Sequence, residues 1–468
     1  MVISLVGYIL AVSIRQDSPL YKYRTSIIWI FAILVLLFKE SYRLLRIPYF
    51  ISSDRWSIIK KFIKFLREND RKTGKYHWRS PTNFLVLKII SFAMDIDNKK
   101  ANDDDDVNNG AFKGSIRLFF QYWTYMFYAP LYIAGPIISY HDFNAQANNN
   151  IFHPELYSYA LRWFLCYTLI EFLCSYFSIF ATVKSGLFKS LSLPETCVFL
   201  YLVLKLMWLK FLLLWRFFRL WALSDLIDPP ENMLKCMSNL CSIKQFWKNW
   251  HASFNKWNVQ YMYKPMQNML RPMQNESDNA TPADSSRRRW WFEIFSTFSI
   301  FLFVALWHDF ELKLLNWALL NTAFFGIEQF CKVQIYPRMQ RSSFLPSNVV
   351  SLLGIIGSAT CIMALIAVNA IGYSLDSNSV TFIYDVIHII FTYIWDGVKS
   401  LVSSTPTTQL AYEGMTCLAG SYWFMTVGVA IMTEIERVRV GRGGAIMHTT
   451  HGGEGIDTLA SRQKKKSD

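Results

Sequence analysis

Charge is what this chain has least of. Only 18% of its 468 residues are Asp, Glu, Lys or Arg, too few to clothe a soluble protein of that length, whose exposed positions are mostly polar. A fold of several water-soluble domains is therefore excluded. Eight cysteines occur, but no CxxC pair is among them, which removes the support for a cysteine zinc site or a disulfide framework. Cys166, Cys174, Cys197, Cys361 and Cys417 lie inside apolar runs and read as small buried hydrophobes. Phosphate-cradling glycine loops, HExxH and GxSxG are absent too, so nucleotide hydrolysis, zinc proteolysis and the α/β-hydrolase nucleophile lose their signatures. No internal repeat is apparent, which weighs against an inverted-repeat transporter. The run Met1 to Ile14 has no basic leader and no small-residue cleavage site, so it reads as a membrane segment and not a signal peptide.

Apolar and aromatic residues fill the space. They make up 52% and 17% of the chain, with 17 Trp, and a lipid bilayer is the solvent that suits them. A helix needs about 20 residues to cross the hydrocarbon. Candidate segments are 119–139, 157–181, 196–220, 290–307, 314–330, 349–372 and 415–432, with shorter or more polar ones at 27–38, 84–94 and 380–395. The sequence predicts an all-α, polytopic membrane protein with roughly eight to eleven embedded helices, some re-entrant or interfacial. Three parts follow: N-terminal segments and a basic region over 1–109, a core over 110–434, and a tail over 435–468. The net charge of +14 gathers between apolar runs and marks juxtamembrane loops, with no basic face for nucleic acid. On that rule 39–79, Arg287 to Arg289, and 332–341 face the cytosol. His308, about 30 Å along a helix from Arg288, then lies near the far side. The Asp run 103–106 and the Ser/Asn-rich stretch 275–289 read as solvated loops; the Asp run lacks the Gly and Glu spacing of a calcium loop, and no metal is expected.

Two stretches carry candidate chemistry. In Phe246-Trp-Lys-Asn-Trp-His-Ala-Ser-Phe-Asn-Lys-Trp257, one continuous helix would put Trp247, Trp250, Phe254, Trp257 and Tyr261 on an aromatic face. His251, Asn255 and Asn258 would form an adjoining polar stripe. Such a helix suits either an interfacial anchor or the wall of a buried chamber with its rings turned to lipid or neighbours. The second stretch is Trp307-His308-Asp309-Phe310-Glu311. An ionisable group ending an apolar span is a functional candidate, and Glu311, three residues on, is spaced to orient the His308 imidazole.

These residues resemble the membrane-bound O-acyltransferase family, and within it the branch of glycerol-uptake proteins and hedgehog acyltransferase. The likeness rests on FWKNWHASFNKWNVQYMYKP (246–265), WHDFELKLLNW (307–317), and YIAGPII (132–138) followed by Asp142 and Phe143. It departs after Pro265, where Met266, Gln267 and Asn268 replace a usual glycine pair, and at Gln260, where an arginine is common. The resemblance implies acyl transfer, with the position of His308 as catalytic candidate and that of His251 as a second active-site residue. An acyl thioester is already activated, so the reaction needs a base for the acceptor hydroxyl and a donor to the developing oxyanion. His308 suits the first role, and His251 or Asn249 the second. Trp250, Asn255, Asn258 and Glu311 complete the candidate substrate contacts. Acyl-CoA would be a co-substrate and no cofactor is called for. The acceptor suggested is a hydroxyl of a lysolipid or lyso-glycosylphosphatidylinositol anchor. Alternatives are N-terminal protein acylation, polyol transport and a non-catalytic regulator.

The closing residues Lys464, Lys465 and Lys466 resemble a di-lysine retrieval signal of endoplasmic-reticulum membrane proteins. If so, Lys465→Ser with Lys466→Ser releases part of the protein to later compartments, measured by fractionation. A C-terminal glycosylation tag stays unmodified; its glycosylation would place the tail in the lumen and overturn the signal.

Overall fold

The computed structural model describes residues 1–14, 19–44, 79–100, 111–148, 154–191, 193–237, 240, 242–275, 282–308, 311–342 and 344–369. The stretches 45–78 and 101–110, the segments 380–395 and 415–432, Asp309 and the tail lie outside them. Helices account for nearly all the described residues, and no strand occurs among them beyond one isolated bridge between Met233 and Trp250. The architecture is all-α and polytopic.

The helices run α1 Val2–Ser13, α2 Arg24–Leu44, α3 Arg79–Lys100, α4 Ala111–Phe127, α5 Ala129–Ile133 and α6 Tyr140–Ala147. Next come α7 Leu156–Tyr176, α8 Ile179–Ser185, α9 Leu193–Ser224, α10 Ile243–Asn249 and α11 Ala252–Asn258. A π-turn at Val259–Tyr263 leads into α12 Lys264–Asn275. The rest are α13 Pro282–His308, α14 Leu312–Phe330, α15 Tyr336–Arg341 and α16 Ser347–Asn369.

Three stretches are long and apolar enough to cross a bilayer: Tyr21–Glu40, Trp290–His308 and Ser347–Ile366. A fourth is the pair α7 and α8, bent by 50° at the break between them. This is fewer than eight to eleven among the described residues, and the reason is chemical. Helix α9 is 32 residues long but carries Lys205, Lys210, Arg216 and Arg219, while α3 carries Lys88 and Asp95. Helix α3 buries Lys88 and Asp95 against protein, whereas Lys205, Arg216 and Arg219 of α9 are partly exposed and Lys210 is exposed. Lys88 donates to the carbonyls of Tyr125 and Met126 at 2.9 and 3.3 Å, capping the C-terminal end of α4 with a cation. By contrast α7 turns Phe164, Leu165, Leu169 and Phe172 outward, as a lipid-facing helix does, and Cys174 beside them is exposed and not buried.

One core joins Ala11 of α1, Ile28 and Leu36 of α2, Phe92 of α3 and Tyr122 of α4 to Trp257, Phe303 and Trp317 further on. Residues of 1–109 thus pack in the same core as those after 110. A buried polar knot ties α3 to the π-turn and α6: Tyr261 donates to Asp95 at 2.7 Å, and the backbone N–H groups of Tyr140 and His141 donate to Ser91 and Asp95 at 2.8 and 3.1 Å.

The loop after α5 shows why its motif reads as it does. A Cβ at Gly135 would collide with the Pro130 carbonyl oxygen and lie 3.0 Å from the Leu131 Cα, so only glycine lets the chain fold back here. That return carries Ile137 N–H to Ser253 Oγ at 2.9 Å, and Ser253 in turn bonds Asn232 through both its hydroxyl and, at 3.1 Å, its N–H. Ser253→Ala should cost about 1–3 kcal/mol, because it strands the buried Ile137 N–H and takes one of two donors from the Asn232 amide oxygen. A lowered melting temperature in detergent checks this, and an unchanged one refutes it.

Candidate active site

The sequence predicts one helix from Phe246 to Tyr261; the structure breaks it. Helix α10 stops at Asn249, Trp250 is extended (φ −87°, ψ 127°), and His251 is left-handed (φ 49°, ψ 48°) before α11 begins. The chain around Asn232 makes the break tolerable. Leu234 N–H reaches the Asn249 carbonyl at 3.3 Å, and Ala252 N–H reaches the Asn232 carbonyl at 3.0 Å, so the groups freed by the interruption find partners inside the protein. This segment is itself pinned: Arg219 pairs with Asp228 at 2.6 Å and donates to the Pro229 carbonyl at 2.8 Å, while Asp228 N–H donates to Gln146 at 2.6 Å.

The break aims His251 into a cavity of about 1310 Å³ walled chiefly by α9, α10, α11 and α13. The lining follows helical spacing. Helix α13 contributes Glu293, Thr297, Ile300, Phe301, Val304, Trp307 and His308, and α9 contributes Leu204, Met207, Phe211, Leu214 and Trp215. From Glu293 to His308 is 15 residues, about 22 Å of helix, so the chamber crosses much of the apolar layer. At the Glu293 end Lys244 lies 3.9 Å from that carboxylate, and Lys248 and Lys264 also line the chamber. Among the described residues no His, Cys, Asp and Glu group forms a metal site.

Both histidines reach the chamber. His251 is boxed by Trp215 at 4.4 Å and Phe254 at 5.3 Å between ring centres. Trp307 lies 6.4 Å from the His251 ring and 4.6 Å from that of His308, a neighbour of both imidazoles. Burial, and after it the nearby His308, depress the basicity of His251 and keep it neutral.

Of the other sequence candidates, Trp250, Asn255 and Asn258 line the chamber. Asn249 does not: its side-chain amide donates to the Gln245 carbonyl at 2.6 Å, because the helix ends there and turns the residue inward against its own backbone. Glu311 is not in the lining either and pairs with Lys313 at 3.1 Å. The aromatic face is divided by the break. Trp247, Trp250 and Phe254 join the polar residues in the lining, while Trp257 packs on Phe303 at 5.9 Å. Beside the site, burial would raise the Asp142 carboxyl, but the Lys256 ammonium at 2.9 Å holds it below the usual carboxylate range.

Sequence reasoning missed Lys39 and Asn83. Lys39 donates to the His308 carbonyl at 3.1 Å and to Asn83 Oδ1 at 2.9 Å, and all three residues line the chamber. This corrects the orientation read from basic residues. Lys39, near the end of α2, and Asn83, near the start of α3, stand at the His308 end, opposite Arg287 to Arg289 at the start of α13. Lys39 and the start of α13 therefore do not share a face, while Lys60 to Lys75, on which the reading of 39–79 rests, lie outside the described residues. Lys39 is 2% exposed and serves as an internal donor, not a juxtamembrane charge.

The left-handed backbone at His251 separates its strain from its chemistry. An L-residue there costs about 1–2 kcal/mol that glycine avoids. His251→Gly should therefore melt higher than His251→Ala, while both lose the imidazole and lose activity alike. A glycine variant no more stable than the alanine variant would contradict the strain.

Comparison with known proteins agrees with the geometry. A family model described as membrane-bound O-acyltransferase matches residues 21–276, from before α2 through α12. The chain is 30% identical over 405 residues to membrane-bound O-acyltransferase gup1 of Schizosaccharomyces pombe, covering 81% of this chain and 62% of that protein. To GUP1 of Candida tropicalis it is 28% identical over 426 residues, covering 86% and 64%, and to GUP1 of Saccharomyces cerevisiae 28% over 382, covering 77% and 60%. The chain spans about three fifths of the length of these curated relatives. With more than half of it matched by the family model, and α9, α10 and α11 of the chamber wall within the match, this chain belongs to the membrane-bound O-acyltransferase family.

Proposed function

We propose that this protein transfers a long-chain acyl group from acyl-CoA to a hydroxyl of a lysolipid or lyso-glycosylphosphatidylinositol anchor, with His308 as general base. The observation that carries the reading is that His308 and His251 line one chamber and share Trp307 as a neighbour. Its size supports a two-substrate reaction: ordinary ligand pockets hold about 300–1,000 Å³, and this one exceeds them. Its walls of Trp, Phe, Leu and Met suit acyl chains, while Lys244, Lys248 and Lys264 offer the Glu293 end positive charge for the phosphates of a CoA donor. The relatives named as O-acyltransferases support the same class of reaction.

In this mechanism the neutral His308 imidazole accepts the proton of the acceptor hydroxyl as its oxygen attacks the thioester carbonyl carbon. Negative charge gathers on the carbonyl oxygen, and an N–H of His251 donates to it; a neutral imidazole still offers one such donor. The intermediate then collapses, the carbon–sulfur bond breaks, and the imidazolium of His308 returns its proton to the leaving thiolate. An ester and a free thiol result. Asn255 and Asn258 on α11 face the same space and offer amide groups to the polar arm of the donor.

His308→Ala should reduce transfer by about 10²–10⁴-fold, the contribution of a positioned general base, with expression and membrane insertion unchanged. Radiolabelled acyl transfer by purified protein is the measurement. Turnover near that of the unaltered protein would remove His308 from the mechanism.

A further inference from the structure

Lys39 is an unusual residue to bury. It is 2% exposed, and its neighbour Glu40 3%. Taking an ammonium out of water costs several kcal/mol unless its hydrogen bonds and charge are answered. Here they are answered in one place. Lys39 Nζ donates to Asn83 Oδ1 at 2.9 Å and to the His308 carbonyl at 3.1 Å, and it pairs with Glu40 at 3.2 Å. Two of the three N–H donors of the ammonium go to protein oxygens, and the Glu40 carboxylate answers its charge.

Asn83 completes the arrangement from α3. Its Nδ2 donates to the same His308 carbonyl at 3.4 Å, and its backbone carbonyl accepts the indole N–H of Trp307 at 2.8 Å. The last carbonyls of a helix have no partner within it and are free to move unless something holds them. At the end of α13 that something is a cation and an amide brought in from residues 269 and 225 positions away. The same contacts fix both residues that shape the site: the carbonyl of His308, and the ring of Trp307 that lies edge-on to the His308 imidazole. Phe84, next to Asn83, meets the Trp307 ring at 5.9 Å from the other side.

We infer that Lys39 and Asn83 are positioning residues for the reaction, clamping the C-terminal turn of α13 so that the His308 imidazole is held where it meets the acceptor hydroxyl. The inference rests on the proposed role of His308. Lys39 acts through His308, to whose backbone carbonyl it donates. A misplacement of about 1 Å can cost on the order of 10²-fold in rate without loosening binding. The clamp therefore affects kcat and leaves donor binding alone.

The test uses the full chain purified in detergent or nanodiscs, with an acyl-CoA donor and a lysophospholipid acceptor. Asn83→Ala removes both side-chain contacts but keeps the Trp307 bond and the Lys39–Glu40 pair. Lys39→Met with Glu40→Gln removes the ammonium without leaving a buried carboxylate unpaired, and so guards against a variant that only misfolds. The expected result for either variant is a kcat lowered by about 10–100-fold, with the KM for acyl-CoA within about twofold and a melting temperature near that of the unaltered protein. Glutamine at position 83 should restore part of the rate by supplying an amide again. Unaltered kcat in both variants, or kcat and KM failing together in step with the melting temperature, overturns the clamp. A wild-type chain with no transfer overturns the acyltransferase reading and the clamp with it, whereas an active wild type with unaffected variants overturns the clamp alone.

Discussion

The chamber depends on a helix that is interrupted inside the protein. A break at Trp250 and His251 frees backbone groups beside the buried Asn249 and Ala252, and a buried group left unpaired costs about 1–3 kcal/mol. The segment around Asn232 is what makes the break possible. Its backbone carbonyl and its side-chain oxygen serve Ala252 and Ser253, while Leu234 serves the Asn249 carbonyl. Ser253 then accepts from Ile137 and links the break to the loop around Gly135. The three sequence motifs are thus one hydrogen-bonded assembly, and what it achieves is the direction of one imidazole.

A second constraint is length. Helix α13 presents one face of the chamber from Glu293 to His308, so the distance from the lysine-bearing end to the histidines is set by a rigid rod. The apolar middle, with Phe301, Val304 and Phe254, separates a charged end from the reacting end. An amphiphile with a polar head, an apolar tail and a reactive bond between them finds these environments in order along one wall.

Much of this was legible in the sequence. The apolar runs gave the all-α membrane architecture, and the spacing of Asn255 and Asn258 put both on the face that lines the chamber. The break was not legible, because each residue from Phe246 to Tyr261 is compatible with a helix and periodicity assumes one axis. Only the partners offered by Asn232, some 20 positions away, favour the left-handed turn at His251. Asn249 was misplaced for the same reason: the helix it was expected to continue ends on it. Lys39 and Asn83 were invisible for a related one. Their meaning lies in contacts across more than 200 residues, and nothing local marks a lysine at the end of an apolar run as internal.

The bias of basic residues toward the cytosol is a property of charges that remain in water; Lys39, buried against the His308 carbonyl, Asn83 and Glu40, carries no such information. The cytosolic reading of 39–79 rests on Lys60 to Lys75, which lie outside the described residues. The geometry of the described helices fixes a relation that composition could not. The ends of α2 and α3 that carry Lys39 and Asn83 stand with His308, and the Arg287 to Arg289 end of α13 stands about 30 Å of helix away. The His308 end of α13 is therefore the side from which the N-terminal helix pair is anchored, and the basic start of α13 marks the other.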